Sequence, residues 1–530
     1  MGFPDHDLDA LLRPFVVSEE TLYSLARRFI IAYRELASTS YEQFLPTPLT
    51  DLPTGEERGR FLALDIGGSN LRVGFVELLG RSGDADGSVP STSLHEKTSA
   101  APSVDDLRMR RSFEKAWPIE EHLKMDQAND LFSWLGKCIA EVIADFVNDQ
   151  VSNNETVPEE VVAGVTFSFP MVQKSIDEAT LMPMGKGFAI SSKVNLGALL
   201  LDGYKKHVGS TSVQGLRTCQ LPRLKIAAIT NDSVATLASL AYSVRAISTG
   251  TVAMGLIVGT GTNATVAMNL KDLHPSKGRN VSIPSGIRSE DSRVIVNTEW
   301  SIRGTAPPLH ELGLVTKWDA LVSTTSECPG FQPFEYMTSG RYMGELCRLL
   351  LLEIFTSRLG HKVHDVPQIL QQRYGLTSTF LTHLLVAGAE SKSWSSQLQT
   401  SAPAPDESQW AWTEEKIDLI RKVAKVVSKR SAGLIAAATI GLLACAGHLR
   451  LIEEPERAFR TSCTGDGDEE IVVAATGGVI SQFPNYLETS RTYVESLLRR
   501  ADSSQRVLLQ EARDVGITGA GVLAGIVTRN

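Results

Sequence analysis

Apolar residues recur along the chain at two spacings, one typical of helices and one typical of strands. Residues 128–147 predict a helix, because apolar side chains recur there every three or four positions: Leu131, Leu135, Ile139, Val142 and Phe146. Short apolar runs predict buried strands at 161–169, 224–230 and 252–258, and the second of these leads into a helix near Ser233. This mixture of strands and helices predicts an α/β protein.

Other stretches add to this pattern. Residues 1–45 predict partly amphipathic helices, and residues 469–480 predict a late strand followed by a glycine turn. Residues 391–412 are rich in Ser, Pro and Gln and predict an exposed loop. The stretch 431–447 is apolar and rich in Ala and Gly, and we expect a packed core helix there rather than a membrane span.

One apolar run ends in a distinctive turn, in the stretch LALDIGGSNLR that begins at Leu62. The residues alone leave two interpretations open. Gly67 and Gly68 can simply supply the turn of a hairpin. Alternatively, the glycines let the main chain approach an anion while Ser69 and Asn70 add hydrogen-bond donors, which would make the turn a cradle for phosphate.

A second stretch repeats the same plan. LIVGTGTNATVAM, residues 256–268, contains an apolar strand, a turn of glycines and hydroxyl residues, an asparagine and a second apolar strand. Asn263 takes the place of Asn70, and Thr260 lies in the turn. Two such turns in one chain predict a duplicated architecture, in which each of two similar domains offers a hairpin to the phosphates of one nucleotide.

The composition narrows the range of partners and compartments. The chain has 530 residues, enough for two or more domains, and a net charge of −9 without a basic block, which argues against nucleic acid as a partner. The six cysteines are scattered without a CxxC pair, and the first residues show no secretory signal pattern. We therefore expect reduced thiols and a cytoplasmic protein.

Taken together, these stretches resemble the hexokinase family of ATP-dependent sugar kinases. The resemblance runs from about residue 20 to the C-terminus and rests on motifs in the family's order: LALDIGGSNLRVGFVEL, GVTFSFP, KGF, ITNDSVATL, GLIVGTGTNATV, VNTEW and CPGFQPFEYMTSGRYMGE. It implies an α/β fold with two actin-like (ribonuclease H-like) lobes around a central cleft. We expect the small lobe in residues 1–222 and the large lobe in residues 223–530.

The resemblance also implies ATP and Mg²⁺ as cofactors, with Asp65 near the metal ion through a water molecule. On the family pattern, the residues that contact the nucleotide are Asp65, Gly67, Gly68, Ser69, Asn70, Arg72, Thr260, Gly478 and Gly519. Simple turn chemistry explains Gly478 and Gly519 equally well.

Asp232 in ITNDSVATL matches the family's catalytic aspartate, the general base that takes the proton of the sugar 6-hydroxyl. Its position between a buried strand and a helix also suits a helix N-cap, which is the alternative explanation. The resemblance makes Asn231 a sugar ligand. Lys186 in GKGF would hold a sugar hydroxyl and offset developing charge, although a surface lysine gives the same pattern.

The remaining sugar ligands follow from the same resemblance. Glu299 in VNTEW and Glu335 in GFQPFEYM would bind hydroxyls at the C1–C2 end, since one carboxylate can accept from two hydroxyls. A charge at a helix N-terminus is the alternative for Glu335. Ser168 could equally be a buried hydroxyl bonded to the backbone. The full set expected at the sugar is Ser168, Gly185, Lys186, Asn231, Asp232, Asn263, Glu299 and Glu335.

Three departures from the family pattern bear on function. Gly185 replaces a Thr of the sugar loop, residues 301–303 replace Gly-Ala-Phe, and VGITG at 515–519 replaces GSGKG. Because WPIEEHLK and TLMPMGKGFAI resemble the fungal N-acetylglucosamine kinase branch, we predict phosphorylation of N-acetylglucosamine at its 6-hydroxyl. The alternatives are a glucose-preferring hexokinase and a non-catalytic, hexokinase-like regulator of carbon or nutrient signalling.

Overall fold

The computed structural model describes residues 5–68, 70–80, 108–120, 122–123, 128–169, 171–181, 194–208, 221–245, 251–281, 292–386, 394–405, 408–451 and 470–529. The strands of these ranges are β1 Leu45–Pro46, β2 Arg58–Ile66, β3 Asn70–Leu79, β4 Met109–Pro118, β5 Glu160–Phe167, β6 Met171–Ser175, β7 Glu178–Leu181, β8 Arg223–Thr230, β9 Thr251–Val258, β10 Thr262–Asn269, β11 Arg293–Asn297, β12 Glu470–Thr476 and β13 Arg506–Glu511. The α-helices are α1 Asp5–Leu12, α2 Glu19–Thr39, α3 Ala128–Ser152, α4 Leu196–Lys205, α5 Asp232–Arg245, α6 Ala306–Glu311, α7 Lys317–Thr325, α8 Pro333–Thr338, α9 Gly340–Glu353, α10 Gln368–Gln371, α11 Ser378–Val386, α12 Trp394–Ser401, α13 Glu414–Cys445, α14 Gly478–Gln482, α15 Tyr486–Arg500 and α16 Val515–Thr528.

The chain divides into two compact units. The first comprises Met1–Leu45, Ala253–Pro275 and Val296–Glu511. It contains most residues of a six-stranded sheet with the order β1-β11-β10-β9-β12-β13, in which β9 and β10 form an antiparallel hairpin and β12 and β13 run parallel. The predicted helices of the N-terminal 45 residues are confirmed as α1 and α2.

The second unit comprises Pro46–Val252, Ser276–Ile295 and Ala512–Asn530. It contains a five-stranded sheet with the order β4-β3-β2-β5-β8. β2 pairs with β3 antiparallel and with β5 parallel, and β5 pairs with β8 parallel. The last helix, α16, packs against β2, β5 and α5. The α/β class and the strand–helix junction near Ser233 are therefore confirmed.

The division of the chain differs from the predicted one. The expected boundary between residues 222 and 223 lies inside the second unit, because β8 begins at Arg223 and pairs with β5. Helix α16 also belongs to this unit, although it lies at the other end of the chain. Each unit is thus assembled from segments that are distant in sequence, which local patterns do not reveal.

Helix α13 lies in the core of the first unit and packs against α2, α9 and α15. By length and composition it is the one helix among the described residues that could cross a membrane, with a mean hydropathy of 1.4 in its most apolar window. However, 83% of that window is buried inside the protein, as in a core helix. Its apolar surface is therefore already covered by other helices, which fits the packed core helix expected over 431–447.

The exposed loop predicted over residues 391–412 is wrong for the part that the structure describes. Residues Trp394–Ser401 form α12, and Trp410 and Trp412 are each only 5% exposed. Trp410 packs edge-on against Phe355, with ring centroids 4.9 Å apart. The Ser- and Pro-rich composition is misleading here because the two tryptophans anchor the segment, and burial of large aromatic rings outweighs local polarity.

Candidate active site

The glycine turn at the end of β2 forms the predicted hairpin with β3. Gly67 N–H donates to the Asn70 carbonyl over 3.0 Å and closes the turn. A Cβ added at Gly67 would meet only that same carbonyl oxygen, at 3.5 Å. The main chain of the turn is therefore open to a close approach at Gly67, as a phosphate cradle requires.

Asp65 and Arg72 face each other across this hairpin and form an ion pair. Arg72 Nη2 lies 3.1 Å from Asp65 Oδ2, and its Nη1 lies 2.7 Å from Asp514 Oδ1. Asp514 also binds Arg111, over 2.8 Å. Arg72 was predicted to contact phosphate, but in the structure its guanidinium joins two carboxylates. Its observed contacts therefore orient Asp65.

These charges shift the two carboxylates in opposite directions. Burial raises the pKa of Asp65, the nearby charges of Asp232 and Asp514 raise it further, and Arg72 offsets only part of this. Burial also opposes ionisation of Asp514, but its bonds to Arg72 and Arg111 outweigh that effect and hold its pKa below the usual value. Asp65 is thus the carboxylate with the higher cost of carrying its charge.

Asp514 is a residue that the sequence analysis missed. It precedes α16 in the left-handed backbone conformation, with φ of 48°. Its position just before an apolar helix is the pattern of a helix N-terminus, which gives no reason to connect it with a hairpin more than 400 residues earlier. Only the return of α16 to the sheet of the second unit brings it to Arg72.

The junction of β8 and α5 separates the roles of Asn231 and Asp232. Asn231 Oδ1 accepts hydrogen bonds from Val234 N–H at 2.9 Å and from Ser233 Oγ at 3.1 Å, so Asn231 caps the helix. Asp232 is the first residue of α5 and is half-buried. The N-cap explanation therefore applies to Asn231, and Asp232 needs another one. The charge of Asp232 raises the pKa of Asp65, so the two carboxylates influence each other electrostatically.

The second hairpin, β9 with β10, belongs to the first unit and also carries an exposed turn. Gly259 N–H donates to the Gly261 carbonyl over 2.9 Å, and Thr260 is exposed at the tip. A Cβ at Gly259 would lie 3.4 Å from Gly478 N, at the start of α14. Gly478 is exposed, with no atom within 4 Å of its own added Cβ. Thr260 and Gly478 therefore lie on neighbouring turns with open backbone.

A chain of polar side chains leads from this hairpin to Glu299. Asn263 Nδ2 donates to Asn297 Oδ1 over 2.8 Å, and Asn297 Nδ2 donates to Glu299 Oε1 over 2.9 Å. Asn297 was not predicted, although its position in VNTEW, two residues before Glu299, offered the signal. The structure thus places two of the predicted sugar ligands, Asn263 and Glu299, in one connected group.

Glu299 has an unusual backbone. Its φ of 46° lies in the left-handed region, which costs a residue with a side chain about 1–2 kcal/mol. Such conformations persist when the surroundings hold them, and they occur often at functional sites. Next to it, Trp300 is completely buried. The carboxylate of Glu299 therefore projects from a backbone that is fixed on its C-terminal side by the core.

Glu335 lies in the first turn of α8 and is bonded to the same hairpin. Its Oε2 accepts from Thr262 N–H over 2.9 Å. A Cβ at Gly261 would lie 2.7 Å from that oxygen, so Gly261 makes room for the carboxylate. Asn263, Glu299 and Glu335 all belong to the first unit and all contact β10 or its neighbours.

The other predicted residues have different outcomes. Ser69, Gly185 and Lys186 lie outside the described residues. Ser168 follows β5, and its N–H donates to the Ile66 carbonyl over 3.0 Å.

Gly519 is buried inside α16, where a Cβ would lie 2.4 Å from the Ala235 carbonyl of α5. Its place in the fold is explained by helix packing, not by a turn or an exposed nucleotide contact, which corrects that assignment.

The residues present fit a magnesium ion that arrives with a nucleotide. Among the described residues, no group of three or more His, Cys, Asp or Glu side chains could hold a metal ion by itself. Mg²⁺ commonly binds through one or two carboxylates together with substrate phosphates. Asp65, oriented by Arg72 through Oδ2, is the carboxylate that would hold such an ion through a water molecule.

Comparison with known proteins gives consistent matches. Two family models, both described as hexokinase, match residues 7–242 and 253–526. The hexokinase of Kluyveromyces lactis is 26% identical over 525 residues, which are 98% of this chain and 91% of the relative. Hexokinase-1 of Nicotiana tabacum is 28% identical over 492 residues, 91% of this chain and 82% of the relative. A solved hexokinase from Schistosoma mansoni, in complex with glucose, has a TM-score of 0.68 and 25% identity over 98% of both chains.

Proposed function

Because this chain belongs to the hexokinase family, we propose that it transfers the terminal phosphoryl group of ATP to the 6-hydroxyl of N-acetylglucosamine. The chain is an ATP-dependent sugar kinase whose acceptor is a hexose. The observation that carries the proposed mechanism is the junction of β8 and α5, where Asn231 supplies the helix cap, so that capping does not account for Asp232, the half-buried first residue of α5.

Asp232 is the proposed general base. A carboxylate within hydrogen-bond reach of the acceptor hydroxyl takes its proton as the new O–P bond forms. At the start of α5, Asp232 lies directly after a buried strand, at the end of the sheet where ligands of α/β proteins bind. Lys186 is the proposed cation that holds a sugar hydroxyl and offsets developing charge.

Asp65 is the proposed ligand for the metal ion, through a water molecule. Mg²⁺ bound to ATP would neutralise charge on the transferred phosphoryl group. Arg72 holds the carboxylate of Asp65 in place from one side. Gly67, Gly68, Ser69 and Asn70 are the proposed phosphate contacts of the first hairpin, supported by the open backbone at Gly67.

The second hairpin contributes the other proposed nucleotide contacts. Thr260 and Gly478 are exposed on adjacent turns, which supports a role for both beside the nucleotide. Backbone N–H groups in such turns bind phosphate oxygens without an additional positive charge. This suits a chain whose net charge is −9.

Glu299 and Glu335 are the proposed ligands at the C1–C2 end of the hexose, with Asn263, Asn231, Ser168 and Gly185 as further contacts. A 2-acetamido group needs hydrogen-bond partners when it is buried. The departure at residues 301–303 does not simply widen a pocket, because Ser301 and Ile302 are buried and Arg303 pairs with Glu42. Support for N-acetylglucosamine therefore comes from the likeness of 117–124 and 180–190 to that branch.

Glucose is the second candidate substrate. The solved Schistosoma mansoni relative was determined in complex with glucose, and its structure aligns with nearly all of this chain. Space and hydrogen-bond partners at C2 decide how strongly a site built for hydroxyl groups rejects an acetamido analogue.

The substrate is tested by ADP release from Mg-ATP with each sugar on one protein preparation. We expect kcat/KM for N-acetylglucosamine to exceed that for glucose by about tenfold or more, the lower end of the discrimination that a pocket achieves for one substituent. An equal or higher value for glucose would favour the glucose-preferring alternative. Absence of turnover with either sugar, together with measurable sugar binding, would favour the regulator.

A further inference from the structure

Gln43 is a buried polar residue from the N-terminal segment that reaches the backbone of Glu299. Its side-chain Nε2 donates to the Glu299 carbonyl over 2.9 Å and lies 3.4 Å from Thr305 Oγ1. Gln43 itself is only 2% exposed. A buried amide side chain that binds a backbone carbonyl fixes that carbonyl strongly, because neither group has water as a replacement.

The segment around Gln43 is fixed at several points. Ser40 Oγ accepts from Gln43 N–H over 3.1 Å, and Phe44 N–H donates to the Thr298 carbonyl over 3.0 Å. Glu42 forms an ion pair of 2.8 Å with Arg303. Residues 40–44 therefore contact the chain both before Glu299, at Thr298, and after it, at Arg303.

Gly304 leaves the space that Gln43 occupies. A Cβ at this position would lie 2.0 Å from Gln43 Oε1 and 2.4 Å from Leu36 Cδ2. Any larger residue would push the amide away from the Glu299 carbonyl. Arg303, the last residue of the departure at 301–303, and Gly304, which follows it, are thus matched to the N-terminal segment.

The side chain of Glu299 is held from the other direction. Asn297 donates to Glu299 Oε1, and Asn263 donates to Asn297. The backbone of Glu299 is left-handed, with φ of 46°, a conformation that a side-chain-bearing residue keeps only when its neighbours enforce it. Gln43 bonds the carbonyl of this same residue, so it acts where the conformation is set.

We propose that Gln43 is a positioning residue for hexose recognition: it holds Glu299 in its left-handed conformation and thereby aims the Glu299 carboxylate at the sugar. The proposal deepens the proposed function and rests on it, because it takes Glu299 as a sugar ligand. Gln43 is buried, and its bond to the Glu299 carbonyl is the contact through which it acts on the sugar site. It makes the N-terminal segment a determinant of sugar affinity.

The test replaces Gln43 by Met, which is unbranched and of similar size but cannot donate a hydrogen bond. Gln371→Met is the matched control, because Gln371 Nε2 likewise donates to a backbone carbonyl, that of Val366, over 2.6 Å within the first unit. Binding of N-acetylglucosamine and of glucose is measured by calorimetry without ATP, and KM for ATP and Tm are measured beside it.

We expect Gln43→Met to weaken hexose binding about tenfold, the factor that corresponds to about 1.4 kcal/mol. KM for ATP should stay within about twofold, and Gln371→Met should leave both sugar binding and KM for ATP unchanged. Gly304→Ala should reproduce the loss of sugar affinity, because it displaces Gln43 without removing it. It also serves if Gln43→Met does not fold.

Unchanged sugar affinity in a folded Gln43→Met or Gly304→Ala variant would overturn the proposal, even if Tm falls, since the residue would then only stabilise the fold. Equal losses for sugar and ATP would overturn it as well. Failure of the wild-type protein to bind either hexose would contradict the sugar site itself. Sugar binding without turnover would contradict the proposed function but leave the role of Gln43 decided by the binding data.

Discussion

Asp65 and Asp514 share one guanidinium, yet their surroundings shift their pKa values in opposite directions. Burial raises the pKa of Asp65, whereas Arg72 and Arg111 hold that of Asp514 low. A carboxylate kept charged at a cost is typical of a residue retained for function, and one stabilised in its charged form is typical of a structural partner. Replacing each carboxylate by an amide is therefore expected to have opposite effects on stability at neutral pH.

Asp65→Asn should lower kcat about 10–100-fold, the scale for loss of a group that supports a metal ion. Tm at pH 7 should stay the same or rise. A raised folded-state pKa contributes stability below the unfolded pKa that is lost as pH rises through the folded pKa, so the charged Asp65 is a burden at neutral pH. Thermal melts at pH 7 and steady-state kinetics check both parts. A clear fall in Tm without loss of activity would refute this prediction.

Asp514→Asn should lower Tm at pH 7. The lowered pKa of Asp514 contributes stability above the unfolded pKa of about 3.9 that is lost as pH falls through the folded pKa. The difference in Tm between variant and wild type should therefore shrink as the pH falls below the unfolded pKa and Asp514 becomes protonated in the folded protein. Melting curves from pH 7 to pH 3 measure it. A gap that is independent of pH would mean that the ion pairs with Arg72 and Arg111 contribute nothing to stability.

Elements with a strong local signal were predictable. The hairpin of β2 and β3, the strand β8 leading into α5, and the hairpin of β9 and β10 each lie in one short stretch whose apolar pattern and turn residues agree. The site residues on these elements were found for the same reason. Asp514 and Gln43 were missed because their partners, Arg72 and Glu299, are hundreds of residues away.

Gly519 and Gly478 have the same predicted role beside the nucleotide, but Gly519 is tightly packed in its helix and Gly478 is open. Gly519→Ala should lower the free energy of unfolding by about 1–3 kcal/mol, because its Cβ would collide with the Ala235 backbone where α16 packs on α5. Gly478→Ala should change it by less than about 0.5 kcal/mol, because that position is open, and should raise KM for ATP. Urea denaturation and ATP titration distinguish them. Equal destabilisation by both would contradict this account.

At the scale of the molecule, the chain builds each unit from distant segments. The second unit combines β2, β3, β5 and β8, which all lie within Pro46–Val252, with α16 from the last residues of the chain. Lobe boundaries could not be read from the sequence, because apolar periodicity identifies strands but not the partner with which each strand pairs. The N-terminal segment likewise belongs to the first unit, with residues 296–511.

Fragments 1–222 and 223–530, expressed separately, should therefore fail to fold cooperatively. The first lacks β8 and α16, and the second lacks the strands that β8 needs as neighbours. Circular dichroism melts and one-dimensional NMR of each fragment measure this, with the full chain as the control. A sharp unfolding transition in either fragment would show that the predicted boundary at residue 222 separates autonomous domains after all.

If Asp232 is the base of a hexose kinase, Asp232→Asn should remove most of the activity and leave the fold intact. ADP release with Mg-ATP and N-acetylglucosamine is measured for the wild type and the variant, with Tm and ATP binding as controls. We expect kcat to fall by about two orders of magnitude or more, as for loss of a general base, while Tm and ATP binding persist because Asn231 still caps α5. A folded variant that retains kcat within about tenfold of the wild type would contradict the role of Asp232 as the base.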